Sequence, residues 1–208
     1  ETDDGSRSRE MEAPRAVLYF DRSVCMLGYL NGGVDENRPL EVLINNLSGV
    51  ISRSGSEAVY APFGRRIETP RADARNALLE PKFYLDCKNG KGQSCDSNLR
   101  SLFEQISDQS DELAVVVTDL WYEEEGNERA GAVALQDALT EVLVSGRSVS
   151  IYGIDAPFNG PIYDVPAGGN SVKTVRHQGT HPLYLFVVVT KGDVFEFDRQ
   201  LSKTVGVF

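Results

Sequence analysis

The sequence predicts an α/β domain with a mostly parallel central sheet, helices on both faces and a β-hairpin insertion near the C-terminus. Three observations carry this. Short, almost continuously apolar runs rich in β-branched and aromatic residues read as strands buried on both faces: AVLYF at 16–20, ELAVVVTD at 112–119 and SVSIYGI at 148–154. Between them lie segments whose apolar residues recur at helical spacing. The two kinds of segment alternate along the chain, which is the pattern of a sheet covered on two sides.

Taken in order, residues 1–14 are polar and charged and are expected to be a disordered leader or linker. Residues 15–208 then read as one domain. After the strand at 16–20, residues 21–38 read as a loop. Pro39 suits a first helical position, and Leu40, Leu43, Ile44, Leu47, Val50 and Ile51 mark the helix that Gly55 ends. EAVYAPFG, 57–64, reads as a strand, Ala72 to Leu79 as a short helix, and KFYLD, 82–86, as a short strand. Leu99, Leu102, Phe103 and Ile106 define a further helix with Asp96 or Ser97 as N-cap. Residues 121–131 read as an exposed loop, 132–146 as a helix, PLYLFVVVT at 182–190 as a strand and DVFEFDRQLSK as a final short helix. The strands 16–20, 113–118 and 149–154 are expected to be parallel neighbours.

Residues 155–182 are too long for an ordinary connection and show no helical period. Ile162-Tyr163 and Val172 to Val175 flank the turn signal Gly168-Gly169-Asn170, so a projecting β-arm is expected.

The totals narrow the function. A length of 208 residues and an apolar fraction of 41% suit a single globular domain. A formal net charge of −10 argues against nucleic acid, whose phosphates call for clustered Lys and Arg. No apolar run approaches the roughly 20 residues that cross a bilayer, so a soluble chain without a membrane span is expected, cytoplasmic or exported. The absence of an initiator Met fits a removed leader or a piece of a longer protein. Cys87 and Cys95 can pair across a short loop, or all three cysteines can be reduced.

In a parallel sheet, ligands gather at the carboxyl ends of the strands. There stand Asp21, Ser23 and Cys25 after the first strand and Thr118-Asp119 after the central one. Ser94 and Ser97 lie between them, ahead of a helix. Carboxylate and hydroxyl oxygens suit a hard cation such as Mg²⁺. The plainer alternative is that Asp21 and Asp119 cap helix or loop amides.

With its D-x-S after an apolar strand and its Thr-Asp after the central one, the chain resembles the von Willebrand factor A family over residues 16–154. The resemblance implies a three-layer, Rossmann-like fold and a metal-ion-dependent adhesion site that binds an acidic group of a protein partner. Asp21, Ser23 and Asp119 match the family pattern. Cys25 stands where a second Ser belongs, and Ser94 or Ser97 replaces the loop Thr, so the metal site is degenerate and Mg²⁺ is expected to bind weakly. The partner is another protein or another domain of the same longer chain.

Trp121 and Tyr122 lie two and three residues after Asp119 and are candidate partner anchors. Tyr163, Arg176 and His177 on the arm make a second candidate surface. His177 and His181 otherwise read as surface loop histidines. More distantly, Asp21 is similar to the nucleophile of haloacid-dehalogenase-like phosphatases. Ser23 then stands where the acid should be, so an enzyme is the less favoured reading. A structural domain without ligand is the third reading, and Cys25 favours it.

Overall fold

The computed structural model describes residues 15–31, 38–85, 97–109, 113–120, 128–167, 172–190, 197, 199–201 and 203. The expected leader at 1–14 and the turn at Gly168 to Asn170 lie outside them. Strand β1 (Arg15–Asp21) is followed by a 3-10 turn (Val24–Met26), α1 (Leu27–Leu30), α2 (Pro39–Arg53) and β2 (Glu57–Phe63). Then come α3 (Ala74–Ala77), α4 (Pro81–Leu85), α5 (Leu99–Asp108), β3 (Leu113–Thr118), α6 (Glu128–Val144), β4 (Arg147–Pro166) and β5 (Val172–Thr190). Phe197, Arg199 to Leu201 and Lys203 are helical, within the final helix expected there.

The five strands form one mixed sheet in the order β2-β1-β3-β5-β4. β1 lies parallel to both β2 and β3, with Leu18 opposite Tyr60 on one side and Val115 on the other. The alternation of side chains along β1 sends Ala16, Leu18 and Phe20 to one apolar cluster and Val17 and Tyr19 to another. The first cluster takes in the apolar stripe of α2, Leu40, Leu43, Ile44, Leu47, Val50 and Ile51. The second takes in Leu99, Leu102, Phe103 and Ile106 of α5 with Ala138 and Val142 of α6. Each of the fully buried Leu, Ile, Val and Phe side chains among them contributes about 1.5–3 kcal/mol of transfer free energy.

One expectation about the sheet is overturned. Val149 to Ile154 is not a neighbour of β3. β5 stands between them, antiparallel to both. α6 supplies the crossover that a parallel strand beside β3 needs, but the chain after Ile154 continues as strand and folds back in a long hairpin, so either strand of the hairpin can lie next to β3. The hairpin arm keeps one strand beside β3, and the more apolar strand takes that place. Leu185 to Val189 are all buried, while Ile151 on β4 is 58% exposed.

Smaller corrections follow local chemistry. The described part of the strand expected at 82–86 is helical instead: Pro81 to Leu85 is a helical turn, pinned where the buried Tyr84 hydroxyl donates to the Leu78 carbonyl at 2.8 Å. Asn98, not Asp96 or Ser97, caps α5 by accepting from the Ser101 N–H at 3.1 Å. The loop expected at 21–38 contains the 3-10 turn and α1, and α6 begins at Glu128 inside the loop expected at 121–131.

The base of the hairpin arm is part of the core. Ala156 and Phe158 are buried in the first cluster, and the Phe158 ring meets Tyr29 edge-on at 4.9 Å. Gly28 and Gly160 make this approach possible. A Cβ on Gly28 would lie 2.0 Å from the Phe158 ring, and one on Gly160 would lie 2.7 Å from the Gly28 Cα. Gly28→Ala is therefore expected to destabilise the fold by about 1–3 kcal/mol, the usual cost of overpacking a core. Chemical denaturation measures it, and an unchanged midpoint contradicts the packing described.

Candidate functional site

The carboxyl ends of β1 and β3 and the entry to α5 meet at Asp21. This carboxylate is fully buried. Its Oδ1 accepts from the Ser23 N–H at 2.7 Å and from the Ser97 hydroxyl at 2.5 Å. Its Oδ2 accepts from the Thr118 hydroxyl at 2.6 Å. The contact with Ser23 is the local turn that Asp residues favour. The other two come from 76 and 97 residues away. Hydrogen bonds to a charged group are worth about 1.5–3 kcal/mol each, so the carboxylate ties three segments together.

Each partner is held in turn. The Asn98 N–H donates to the Gly64 carbonyl at 3.0 Å, fixing the segment with Ser97 to the end of β2. The Arg22 N–H donates to the Phe63 carbonyl at 2.7 Å, and its guanidinium reaches the Phe83 carbonyl and Glu68. Thr118 Oγ1 also accepts from the Leu120 N–H at 3.0 Å, closing a turn in which Leu120 adopts φ 59°. A left-handed leucine is uncommon and costs on the order of 1–3 kcal/mol. That strain sits immediately after Asp119.

Burial pushes the Asp21 carboxyl above its ordinary range, and the hydrogen bonds from Ser97, Thr118 and Ser23 oppose the rise without cancelling it. Ser23 Oγ is buried close to Asp21 but makes no hydrogen bond of normal geometry. Ser97 and Thr118 give their protons to Asp21, and the oxygen lone pairs of Ser97 remain on the other side of that bond.

The expected metal residues are thus brought together in part. Asp21, Ser23 and Ser97 share one buried cluster with Thr118, and Asp119 follows Thr118, half-buried. Asp119, Cys25 and Asp21 all lie near enough to the Tyr29 phenol to raise its pKa, after burial, which is the larger cause. Cys25 is buried in the 3-10 turn and lies near the phenols of Tyr29 and Tyr163. Ser94 lies outside the described residues, as do Cys87 and Cys95, Glu123 to Glu125, Trp121 and Tyr122. Among the described residues no three His, Cys, Asp or Glu side chains converge; the oxygen set here leans on hydroxyls.

The arm residues differ among themselves. Arg176 is exposed, and Tyr163 and His177 are half-buried. The histidines are not loop residues as expected: both lie on β5. His181 packs 4.9 Å from the Phe158 ring and 6.1 Å from Tyr29, and burial lowers its pKa, with His177 adding to the effect. The Tyr29 hydroxyl donates to the Pro182 carbonyl at 2.7 Å and so joins the arm to the site. Tyr29 is the site residue that sequence reading did not single out, and Thr118 was read as the neighbour of Asp119 without a role of its own. The signal for Thr118 was its place as the last buried residue of a strand, next to the expected metal Asp.

No family model matches the chain, and no curated protein or solved structure matches it.

The raised Asp21 pKa has a definite sign in stability. The unfolded carboxyl releases its proton at a lower pH than the folded one, so stability falls as pH rises through that window and stays reduced above it. Asp21→Asn, which keeps shape and removes charge, is expected to be at least as stable as the native chain near neutral pH without divalent cations. That advantage should vanish as the pH falls toward the ordinary carboxylate value. Urea midpoints across pH, measured in chelator, test this; a variant much less stable at neutral pH contradicts it.

Proposed function

We propose that this chain is a von Willebrand factor A-like, three-layer binding module. It holds a divalent cation at the carboxyl ends of β1 and β3 and captures an acidic group of a protein partner, or of another domain of a longer chain. The observation that carries the reading is a fully buried Asp21 ringed by hydroxyls, with the buried Ser23 Oγ close by and making no hydrogen bond of normal geometry. A local turn explains the Ser23 N–H contact but not the hydroxyls of Ser97 and Thr118.

The donor set suits Mg²⁺ or Mn²⁺, which prefer oxygen ligands. Ser23 and Ser97 would offer their hydroxyl oxygens. Asp21 and Asp119 would supply the charge, Asp21 while still accepting the Ser97 and Thr118 protons. The cation, once bound, supplies an electrophilic position for a carboxylate of the partner. Cys25 is a poor partner for so hard a cation, which makes the site weak. The phosphoryl-transfer alternative lacks comparable support. Both Asp21 oxygens are engaged and fully buried, and no acid stands at Ser23.

Calorimetric titration tests the reading. The native chain should bind Mn²⁺ and Mg²⁺ weakly. Cys25→Ser should tighten binding on the order of tenfold, the scale of changes around a metal site, and Asp119→Asn should abolish it. The same affinity in both variants as in the native chain, or no binding in any of the three, would leave a structural domain without ligand.

A further inference from the structure

The sheet carries the β4–β5 hairpin over only part of its length. β5 pairs with β3 from Val188 to Tyr184. Beyond Tyr184, among the described residues, the ladder continues between β4 and β5 alone, from Leu183 opposite Ile154 to Val172 opposite Pro166. This outer hairpin meets the rest of the domain through side chains packed on α1. Phe158 meets Tyr29 edge-on at 4.9 Å, Gly160 lies against Gly28, and the Tyr29 hydroxyl donates to the Pro182 carbonyl at 2.7 Å.

The chain has 2 histidines, and both stand at this contact. His181 is opposite Ala156, Gly179 opposite Phe158 and His177 opposite Gly160. Side chains alternate across a strand, so both imidazoles share the face that carries Phe158. Gly179 has no side chain, which leaves that stretch of the face to the Phe158 ring. The ring lies 4.9 Å from His181 and 6.1 Å from His177, and the two imidazoles are 6.2 Å apart. His181 also lies 6.1 Å from Tyr29. Four rings thus join the outer hairpin to α1.

The groups around His181 do not compensate a positive charge. Among the described residues, the charged group that acts on it is the imidazole of His177, not a carboxylate. β4 contributes Ala156 and Phe158, and α1 contributes Tyr29. Burial first, then Asp119, Cys25, Asp21 and Tyr184, raises the Tyr29 phenol, which stays neutral. Tyr163, raised by burial and by Cys25, is neutral as well. Asp155 and Arg176 adjoin Ala156 and His177 in sequence and so lie on the opposite face of the hairpin. Lys173, exposed, stands four residues beyond His177. An aromatic ring attracts a cation, but two imidazolium ions beside the same ring repel each other.

We propose that the cluster is an acid-operated latch: protonation of His181 beside His177 releases the outer hairpin from α1. Burial lowers the His181 pKa in the docked state, and His177 adds to this. The undocked imidazole therefore takes its proton at a higher pH than the docked one. Docking is fully favoured above the ordinary histidine range and weakens as pH falls through it toward the docked pKa. The sign is opposite to that of Asp21, whose raised pKa favours the fold at low pH.

Nuclear magnetic resonance of the full chain, titrated from about pH 8 to about pH 5, tests the proposal. At the upper end the ring protons of Tyr29 and Phe158 should show a nuclear Overhauser contact. So should those of Phe103 and Phe186, whose rings lie 5.3 Å apart in the second apolar cluster. Toward about pH 5 the first contact should lose at least about half its intensity, following the His181 titration, while the second persists. His181→Phe keeps a ring in the cluster and removes the proton site, so it should hold the hairpin docked down to about pH 5. If that variant lacks the Phe103–Phe186 contact, His177→Asn decides: without the repulsion, release should move to lower pH. A Tyr29–Phe158 contact that persists in the native chain at the acid end overturns the proposal, as does one lost together with the Phe103–Phe186 contact. Release at the native pH in the deciding variant also overturns it and assigns the effect to Asp21 or another carboxyl.

Discussion

A fully buried carboxylate organises the upper end of this sheet. Asp21 is the last residue of β1, and its two oxygens are held by a backbone amide and two hydroxyls from three separate segments. Burying a charge is costly unless it is paired or hydrogen-bonded, and here the cost still exceeds what the hydrogen bonds return. The surrounding structure absorbs a second cost in the left-handed backbone of Leu120. The two unfavourable features stand at the ends of neighbouring strands, β1 and β3, and the Thr118 hydroxyl links them by donating to Asp21 and accepting from the Leu120 N–H.

The hairpin of β4 and β5 is the other constraint. Because it returns without a helix, the sheet becomes mixed, and the flank that would hold a parallel strand instead holds β5. The same hairpin brings Tyr29, Phe158 and His181 together beside the site. Its packing against α1 requires two glycines at the contact, Gly28 and Gly160. The arm is therefore a wall of the site at its base and a separate surface only farther out, where Arg176 is exposed.

Much of this was legible in the sequence, for identifiable reasons. β1, β2 and β3 announced themselves because strands buried on both faces are continuously apolar, and α2 because its stripe repeats over four turns. Asp21, Ser23 and Asp119 were singled out by position at strand ends, and the structure places Asp21 and Ser23 in one buried cluster with Thr118, the residue before Asp119. Strand order was not legible. Nothing in SVSIYGI states which strand it will pair with, although PLYLFVVVT is the more apolar of the two and took the inner place. Pro81 to Leu85 misled because its aromatic residues suit strands, whereas Tyr84 is held by a long-range need for burial. That the Ser97 hydroxyl reaches Asp21 from 76 residues away depends on the fold of the segment before α5, which no local pattern encodes.

We propose that the oxygens around Asp21 are arranged for a hard cation. Crystals of the native chain grown with Mn²⁺ and measured at its absorption edge address it directly. An anomalous peak is expected beside Ser23 Oγ and Ser97 Oγ, with the Thr118 hydroxyl still donating to Asp21. An anomalous map without a peak there at saturating Mn²⁺, with the Ser97 and Thr118 bonds to Asp21 unchanged, would contradict it and make the cluster a structural tie between strands.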